Sequence, residues 1–363
     1  MELALPYYNI PFAMNVNRFP DRKIIIENQK YLYFGGTSYL GLPTNKKFIK
    51  IISKSLKKWG TSYGSSRNAN IKLVAYEKAE QFLAHFIKAE AALTISSGML
   101  AGKIVIDVLE KQTDCFYHFP NLHAALKHKN SLPIFEDNKI NPKLVDGISE
   151  KVTILTDAVP SLSVQAIDLG ILDKISSNKE ITLVVDESHT LGLLGENGCG
   201  IYSEINLPNV KHKIMIASLG KAMGTTGGVI ASDADFINEV KINNNYVSAA
   251  GMNASFAYSL SKINSLIVKQ NQKLKKKLKF IDSILVKSDQ VNFDINYPIL
   301  YPKIKNIYSI LKEQKIIITN FAYPNDDGEL NRIVITANHK KKDLQKIIST
   351  LNHENIKSDD SDL

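Results

Sequence analysis

The stretch "IASLGKAMGTTGG", Ile216 to Gly228, joins an apolar run to a cluster of small residues around one lysine, Lys221. A lysine beside a turn is usually a solvated surface residue. A lysine in a dry pocket has a lowered pKa and reacts with carbonyl groups, so Lys221 also suits a covalent cofactor. The glycines around it leave room for a flat ring, and they are Gly220, Gly224, Gly227 and Gly228. Other features of the sequence distinguish between these two interpretations.

Short apolar runs rich in β-branched residues lie on both sides of this stretch. Several are continuously apolar, as expected for strands that are covered on both faces. Stretches with helical periodicity lie between most of these runs. This alternation predicts an α/β domain with a largely parallel sheet. The predicted strands are Ala92–Ser96, Cys115–Phe119, Val152–Thr156, Thr182–Asp186, Lys213–Ser218 and Gly228–Ser232; the predicted helices are Asn45–Trp59, Leu73–Lys88, Leu100–Glu110 and Leu172–Ser177.

The length of 363 residues predicts more than one domain. We expect an N-terminal segment over 1–40, a large α/β domain over 41–235 and a smaller α+β domain over 236–363. In the last of these, strands are predicted at Ile316–Thr319 and Ile333–Thr336, and a final helix at Lys341–Leu351, before a frayed polar tail.

Charge and composition limit the classes of partner. The chain has 45 basic and 36 acidic residues, a formal net charge of +9, which favours acidic partners such as phosphorylated cofactors, thioester carriers, membrane surfaces or nucleic acid. Much of the excess lies in Lys273–Lys279, which is typical of the solvated face of a helix. The chain contains no zinc-finger spacing or RNA-binding motif, so we expect no nucleic-acid function.

We expect a cytoplasmic protein without stable membrane insertion, because the sequence shows neither a long apolar run nor the layout of a signal peptide. Cys115 and Cys199 are the only cysteines, and their spacing fits neither a disulfide framework nor a metal site. We therefore predict reduced thiols and no bound metal.

Polar groups follow several predicted strands, where ligands bind in a parallel sheet. "TISSGMLAG", Thr94 to Gly102, places Gly98 and Met99 at a helix N-terminus whose N–H groups could hold a phosphate. Many such turns bind no ligand. Asp186 ends an apolar strand, with His189 three residues later. A carboxylate there needs a cation or a donor, and a helix N-cap is the structural alternative.

Ser218 lies three residues before Lys221, at the end of the next predicted strand. A hydroxyl there could hold a phosphate while the amine binds an aldehyde. The small residues around Lys221 then make room for an aromatic cofactor.

Over most of its length, the sequence resembles a known family. Seven motifs occur in the order found in the α-oxoamine synthases, which are pyridoxal-phosphate enzymes of fold type I, and they span roughly residues 30 to 345. The fold this implies is a mostly parallel seven-stranded sheet flanked by helices, with a smaller C-terminal α+β domain. The motifs are "SYLGL" (38–42), "GTSYGSSR" (60–67), "SSGMLAG" (96–102), "NLHAAL" (121–126), "VVDESHTLGLLGENGCGI" (184–201), "SLGKAMGTTGG" (218–228) and "RIVITANH" (332–339).

The resemblance implies a role for each candidate residue. Lys221 would bind pyridoxal 5'-phosphate (PLP) covalently and act as the base, Asp186 would keep the pyridine nitrogen protonated, and His123 would stack on the ring and orient substrate. Ser161 and His189 would lie near the phenolic oxygen. The implied phosphate contacts are Gly98, Met99 and Ser218, and Arg332 would bind the amino-acid carboxylate.

The chain departs from the family pattern at several positions. "VPSLSVQA" (159–166) keeps Ser161 but lacks the usual Asp-Gly turn. Ile71 stands where glycine is usual, and Tyr76 where histidine is common. "AAGMNAS" (249–255) replaces a stretch that reaches the phosphate of the partner subunit, and "FAYPNDDG" (321–328) replaces a Pro-Pro-Thr segment. These changes lie at expected acyl and inter-subunit contacts.

The family's activity is a decarboxylative condensation of an amino acid with an acyl thioester of coenzyme A or an acyl carrier protein, in a homodimer. The motif wording is most similar to the branch that makes 8-amino-7-oxononanoate for biotin biosynthesis, which implies alanine and a pimeloyl thioester. A long-chain synthase, serine palmitoyltransferase-like or cysteate acyltransferase-like, is the alternative. An aminotransferase-like enzyme and a non-catalytic protein of the same fold are further alternatives.

Overall fold

A computed structural model describes residues 14–322 and 329–361 of the chain. Its strands are, in chain order, β1 (Lys23–Ile26), β2 (Gln29–Phe34), β3 (Ala91–Ile95), β4 (Cys115–His118), β5 (Leu132–Pro133), β6 (Phe135–Glu136), β7 (Lys139–Ile140), β8 (Glu150–Asp157), β9 (Lys179–Asp186), β10 (Val210–Ser218), β11 (Gly228–Ser232), β12 (Val291–Phe293), β13 (Ile299–Pro302), β14 (Ile316–Ala322) and β15 (Glu329–Val334). Its α-helices are α1 (Lys46–Trp59), α2 (Val74–Ile87), α3 (Gly98–Leu109), α4 (Ala234–Ile242), α5 (Asn244–Ser248), α6 (Ala254–Leu260), α7 (Asn264–Asp282), α8 (Ile307–Glu313) and α9 (Lys341–Ser361).

The larger of two compact units, Ser38–Lys273, contains the predicted parallel sheet. Seven strands lie in the order β3-β11-β10-β9-β8-β4-β5, and all neighbours are parallel except β11, which is antiparallel to both of its neighbours. This confirms the predicted mostly parallel seven-stranded sheet. All six predicted strands of this sheet are present, with ends that differ by at most three residues.

Two hydrophobic cores cover the two faces of this sheet. Along β9, Val184 packs into one core, whereas Leu183 and Val185 pack into the other. Successive residues of a strand point to opposite faces, so a strand covered on both sides needs an unbroken apolar run. This explains why the run before Asp186 is continuous, and why Asp186 is exceptional at its end.

The smaller unit combines the described residues of Met1–Thr37 with those of Leu274–Leu363. Its six-stranded sheet has the order β1-β2-β14-β15-β13-β12. β2 pairs in parallel with β14, Ile316 opposite Leu32, so the N-terminal strands are part of this unit. The structure thus differs from the predicted separate segment over 1–40, because that segment supplies edge strands to a sheet formed from the C-terminal part of the chain.

The second predicted boundary, after residue 235, also differs from the structure, in which the larger unit extends to Lys273. The reason is that α4 packs Phe236, Ile237 and Val240 into the same core as β9. A change in composition near 236 therefore marks the end of the sheet, but the larger unit continues beyond it.

Two predicted helices need correction. The stretch predicted over Leu172–Ser177 is a single 3-10 turn, Gly170–Lys174. The final helix, predicted to end at Leu351, continues to Ser361, so the expected frayed tail is helical through most of its length. Residues 323–328, which include most of "FAYPNDDG", lie outside the described residues, as do 1–13, 362 and 363.

Hydropathy along the helices bears on membrane insertion. Within the described part of the chain, none of the helices combines the length and the apolar character that a membrane-spanning segment needs.

Candidate active site

Three parallel strands of the large sheet end side by side with polar residues. β8 ends at Asp157, β9 at Asp186 and β10 at Ser218. Asp157 is directly opposite Asp186 in the register of β8 and β9, and Asp186 is opposite Ile216 on β10. The carboxyl ends of the strands therefore bring these side chains to one edge of the sheet, where ligands bind in folds of this type.

Asp186 is buried and held in a fixed orientation. Only 6% of the residue is exposed, and its Oδ1 accepts a hydrogen bond from the Ser188 N–H at 2.8 Å. Ser188 Oγ in turn accepts the Ser218 N–H at 2.7 Å. No α-helix begins within this described stretch, so the carboxylate is not a helix N-cap. The network links the predicted residues Asp186 and Ser218.

His123 lies beside both carboxylates. Its backbone N–H donates to Asp157 Oδ2 at 2.9 Å, and its ring Nδ1 is 4.0 Å from Asp186 Oδ2. Nδ1 also accepts the Ala125 N–H at 3.2 Å, which places the proton of the neutral ring on Nε2. Partial burial lowers the pKa of the ring, Asp186 opposes this, and Lys221 lowers the pKa further. The imidazole is therefore mostly neutral at pH 7.

Lys221 lies in a turn that follows β10. The turn is closed by hydrogen bonds from the Leu219 N–H to the Gly227 carbonyl and from the Thr225 N–H to the Leu219 carbonyl. The positive charge of Lys221 lowers the pKa of both His123 and Asp157, so the amine is electrostatically coupled to both groups. We call Asp157, His123, Asp186 and Lys221 the Lys221 cluster.

Asp157 is a member of this cluster that the sequence analysis missed. Burial, together with the charge of Asp186, raises the pKa of Asp157 to about 7, although the His123 N–H and Lys221 both act to lower it. The predicted strand Val152–Thr156 stops one residue short of it. A signal was present, because Asp157 ends an apolar run in the same way as Asp186.

The predicted phosphate contacts Gly98 and Ser218 lie against each other. α3 begins at Gly98, where a Cβ would come within 2.9 Å of the Ser218 backbone and side chain, so only glycine allows this approach. Ser97 caps the helix by accepting the Leu100 N–H. The start of α3 and Ser218 therefore lie close together, where N–H groups of the first turn and the Ser218 hydroxyl could donate to one anion. Met99 follows Gly98, with 45% of the residue exposed.

The remaining predicted site residues are His189, Ser161 and Arg332. His189 Nδ1 makes a 2.8 Å hydrogen bond with the Tyr39 hydroxyl, a partner that the sequence analysis did not single out. Ser161 lies in the turn Pro160–Ser163 after β8, close in sequence to Asp157. Arg332 lies on β15 of the smaller unit. The roles predicted for Ser161, His189 and Arg332 remain predictions.

Two of the departures from the family pattern are bonded to each other. The Tyr76 hydroxyl, where the family commonly has histidine, donates to the Met252 carbonyl in the altered stretch Ala249–Ser255 at 2.8 Å. Arg67 stacks on the Tyr76 ring at 3.9 Å. Both residues, with Ile71, line a cavity of about 410 Å³. The changes at Tyr76 and in the 249–255 stretch are therefore one structural feature.

The chain is similar to known proteins in both sequence and structure. A serine palmitoyltransferase from Sphingobacterium spiritivorum is 28% identical over 258 residues, covering 68% of this chain and 64% of that protein. An 8-amino-7-oxononanoate synthase from Petrotoga mobilis is 27% identical over 350 residues, covering 90% and 88%. A serine palmitoyltransferase structure from S. paucimobilis, solved with bound PLP and myriocin, superposes with a TM-score of 0.78 at 16% identity, covering 95% of this chain and 92% of that one. No protein-family model matches the chain.

The structural likeness establishes the fold, which is that of the fold type I enzymes. Relatives named 8-amino-7-oxononanoate synthase match nine tenths of the chain, and the relative named serine palmitoyltransferase matches 68% of it. The seven motifs and the polar edge of the sheet agree with them. The chain is therefore similar to members of the α-oxoamine synthase family.

Proposed function

We propose that the chain is a PLP-dependent acyltransferase that condenses an amino acid with an acyl thioester and releases carbon dioxide. The observation that carries this proposal is the Lys221 cluster, in which a lysine amine, a buried carboxylate and an imidazole share one edge of the sheet. A merely structural cluster would not need a lysine in a glycine-rich turn beside a helix N-terminus.

The residues present fit PLP. Lys221 supplies an amine for the aldehyde, and the buried Asp186 carboxylate supplies a partner for a protonated ring nitrogen. His123 has a half-exposed side chain, 49%, that can cover one face of a ring. Gly98 and Ser218, which pack against each other at the start of α3, would hold the phosphate.

PLP, when bound, supplies an electron sink for the negative charge that develops on the amino-acid α-carbon. Asp186 would hold the proton on the ring nitrogen. The hydrogen bond from the Ser188 N–H fixes the orientation of its carboxylate. The Lys221 amine, once displaced by the amino acid, would take the α-proton and later return it. His123, neutral at pH 7, can donate from Nε2 to the acyl oxygen or the substrate carboxylate.

For the substrates we propose alanine and a pimeloyl thioester, as for an 8-amino-7-oxononanoate synthase, because such enzymes match about nine tenths of the chain. The acyl carrier would be coenzyme A or an acyl carrier protein, and Arg332 would bind the amino-acid carboxylate. We further propose a cytoplasmic homodimer, which light scattering coupled to gel filtration tests directly.

A second candidate is a synthase that uses a long acyl chain. It is supported by the similarity to a serine palmitoyltransferase in sequence and to several such enzymes in structure. The altered residues Ile71 and Tyr76 line a cavity, and they add to the support for a substrate other than pimeloyl.

Cofactor binding is tested first. The purified protein should be yellow, and borohydride should bleach it irreversibly and leave the cofactor attached to Lys221, as peptide mass analysis would show. Lys221→Ala should not be labelled, whereas a control at an exposed lysine, Lys129→Ala, should be labelled like wild type. A colourless protein that stays so with added PLP would support the non-catalytic alternative.

Substrates are then identified by adding single amino acids and recording the absorbance change, followed by acyl thioesters of increasing chain length. Thiol and carbon dioxide should be released together, with alanine and pimeloyl thioester as the preferred pair. Preference for serine or cysteate with long chains would favour the second candidate. Amino-group transfer to keto acids without thiol release would show an aminotransferase and contradict the proposal.

A further inference from the structure

Helix α1 carries an unusual concentration of positive charge. Its 14 residues include six lysines and no acidic residue: Lys46, Lys47, Lys50, Lys54, Lys57 and Lys58. At about 100° per residue, the six fall within an arc of about 120° around the helix axis. All six are exposed, and the chain contains no Asp or Glu between Glu27 and Glu77. We call this arc the lysine face.

The charge of the lysine face is not neutralised within the described part of the chain. Elsewhere lysines pair with carboxylates, as Lys88 does with Glu196 and Lys179 with Glu150. In the described residues, none of the six lysines of α1 forms such a pair. An uncompensated row of cations of this length creates a strong local positive potential.

One exposed apolar side chain lies beside the lysine face. The opposite side of α1 packs inward through Phe48 and Ser55, whereas Ile49 is 46% exposed. At the C-terminal end, Lys58 Nζ lies 5.0 Å from the Trp59 ring and 5.5 Å from the Tyr258 ring. Both rings are partly buried and Trp59 lies on the inward side of α1, so Ile49 is the exposed apolar side chain beside the lysine face.

The helix is connected to the candidate active site. Gly224, in the turn that contains Lys221, packs so closely that a Cβ there would lie 2.7 Å from Leu42 Cβ and 3.4 Å from Phe48 Cε1. Leu42 precedes α1, and Phe48 lies in its first turn. Because Phe48 is on the side of α1 opposite the lysine face, a surface that binds the lysine face would be separated from the turn that carries Lys221 by this one helix.

We propose that the lysine face of α1 docks this protein peripherally on an anionic lipid bilayer. Clustered lysines on an amphipathic helix are attracted to anionic headgroups, and the exposed Ile49 can enter the interface. The exposed Ile49 favours a bilayer over an acidic protein, for which charge alone would suffice. The inference does not depend on the proposed function, since no catalytic step enters it.

The test is cosedimentation of the purified holoprotein with vesicles of mixed phosphatidylglycerol and phosphatidylcholine, and with vesicles of phosphatidylcholine alone. Wild type should bind the anionic vesicles only, and about 1 M salt should release it, because the Debye length falls to about 3 Å. The triple variant K50Q/K54Q/K57Q should bind on the order of 100-fold more weakly, at about fivefold per lysine.

The matched control is K269Q/K273Q/K276Q, which removes the same charge from exposed positions of α7. It should bind within about twofold of wild type, and circular dichroism should show that both variants are folded. Equal losses in the two variants would mean that net charge alone is responsible, and the proposal would be wrong. Failure of wild type to bind anionic vesicles, with α1-dependent binding to an acidic acyl carrier protein instead, would also overturn it.

Discussion

Asp157 and Asp186 are opposite each other at the last position where β8 pairs with β9, and both are buried. Two carboxylates this close in a low-dielectric site cannot both ionise without a large cost. The two carboxylates contact different atoms of His123: Asp186 faces the ring Nδ1, and Asp157 accepts the backbone N–H. The pKa of Asp157 is raised to about 7, so this carboxyl group is about half protonated at neutral pH.

The raised pKa of Asp157 predicts a pH dependence of stability. Its pKa is about 7 in the folded state and about 4 in the unfolded state, so the folded protein binds the proton more tightly. The free energy of unfolding of the cofactor-free protein should therefore contain a contribution that is present below pH 4 and is lost as the pH rises to about 7. Asp157→Asn removes this titration and keeps an acceptor for the His123 N–H. Urea unfolding at pH 5 and pH 8 should show a smaller decrease for the variant.

Asp168→Asn is the control, because Asp168 is an exposed carboxylate that accepts the N–H of the nearby Gly170. It should decrease in stability between the two pH values as wild type does. If Asp157→Asn also behaved as wild type, the carboxyl pair would not be the titrating group.

Glu187 predicts a second stability effect. It is fully buried, and its carboxylate accepts bonds from the Thr190 hydroxyl and from the Ile201 and Tyr202 N–H groups. A glutamine has one acceptor oxygen, so its NH₂ group would face a donor. Glu187→Gln should lower the free energy of unfolding by about 1–3 kcal/mol, measured by urea denaturation at pH 7.

The exposed Glu136→Gln is the matched control and should change stability by less than about 0.5 kcal/mol. Burial raises the pKa of Glu187 to about 7. The folded protein therefore binds this proton more tightly than the unfolded chain does, and the resulting contribution to the free energy of unfolding is lost as the pH rises from about 4 to 7. A variant as stable as wild type at pH 7 would mean that Glu187 is protonated there and already acts as a neutral group.

The strands and the polar edge of the large sheet could be predicted from the sequence because they depend on local patterns. A strand covered on both faces is continuously apolar, so its end is marked by the first polar residue, such as Asp186 or Ser218. The resemblance added His123, which no local pattern distinguishes from a core histidine. The structure brings it to 4.0 Å from Asp186.

Features that depend on contacts between distant segments could not be predicted. β2 pairs with β14 across nearly three hundred residues, and no composition change near residue 40 reports this. The hydrogen bond from Tyr76 to Met252 joins two separate departures from the family pattern. Asp157 becomes significant only once β8 and β9 are neighbours, because its raised pKa depends on Asp186.

Gly98 predicts an effect on cofactor affinity. A Cβ at this position would lie 2.9 Å from the Ser218 backbone, so Gly98→Ala must move the start of α3 away from β10. We expect PLP to bind at least tenfold more weakly, because the phosphate donors separate. Fluorescence titration of the cofactor-free protein measures this affinity. Gly64→Ala, where a Cβ would meet nothing within 4 Å, is the control and should bind PLP like wild type.

The hydrogen bond between Tyr39 and His189 predicts a spectroscopic effect. The Tyr39 hydroxyl lies 2.8 Å from His189 Nδ1, and the rings meet edge to face at 6.2 Å, so the phenol fixes the imidazole orientation. If His189 contacts the phenolic oxygen of PLP, Tyr39→Phe should shift the pH midpoint of the visible absorbance of the holoprotein. Tyr31→Phe, a tyrosine of the smaller unit, should leave that midpoint unchanged. An unshifted midpoint in Tyr39→Phe, with PLP bound at wild-type affinity, would show that His189 does not act on the chromophore and would limit the cofactor site to the Lys221 cluster, Gly98 and Ser218.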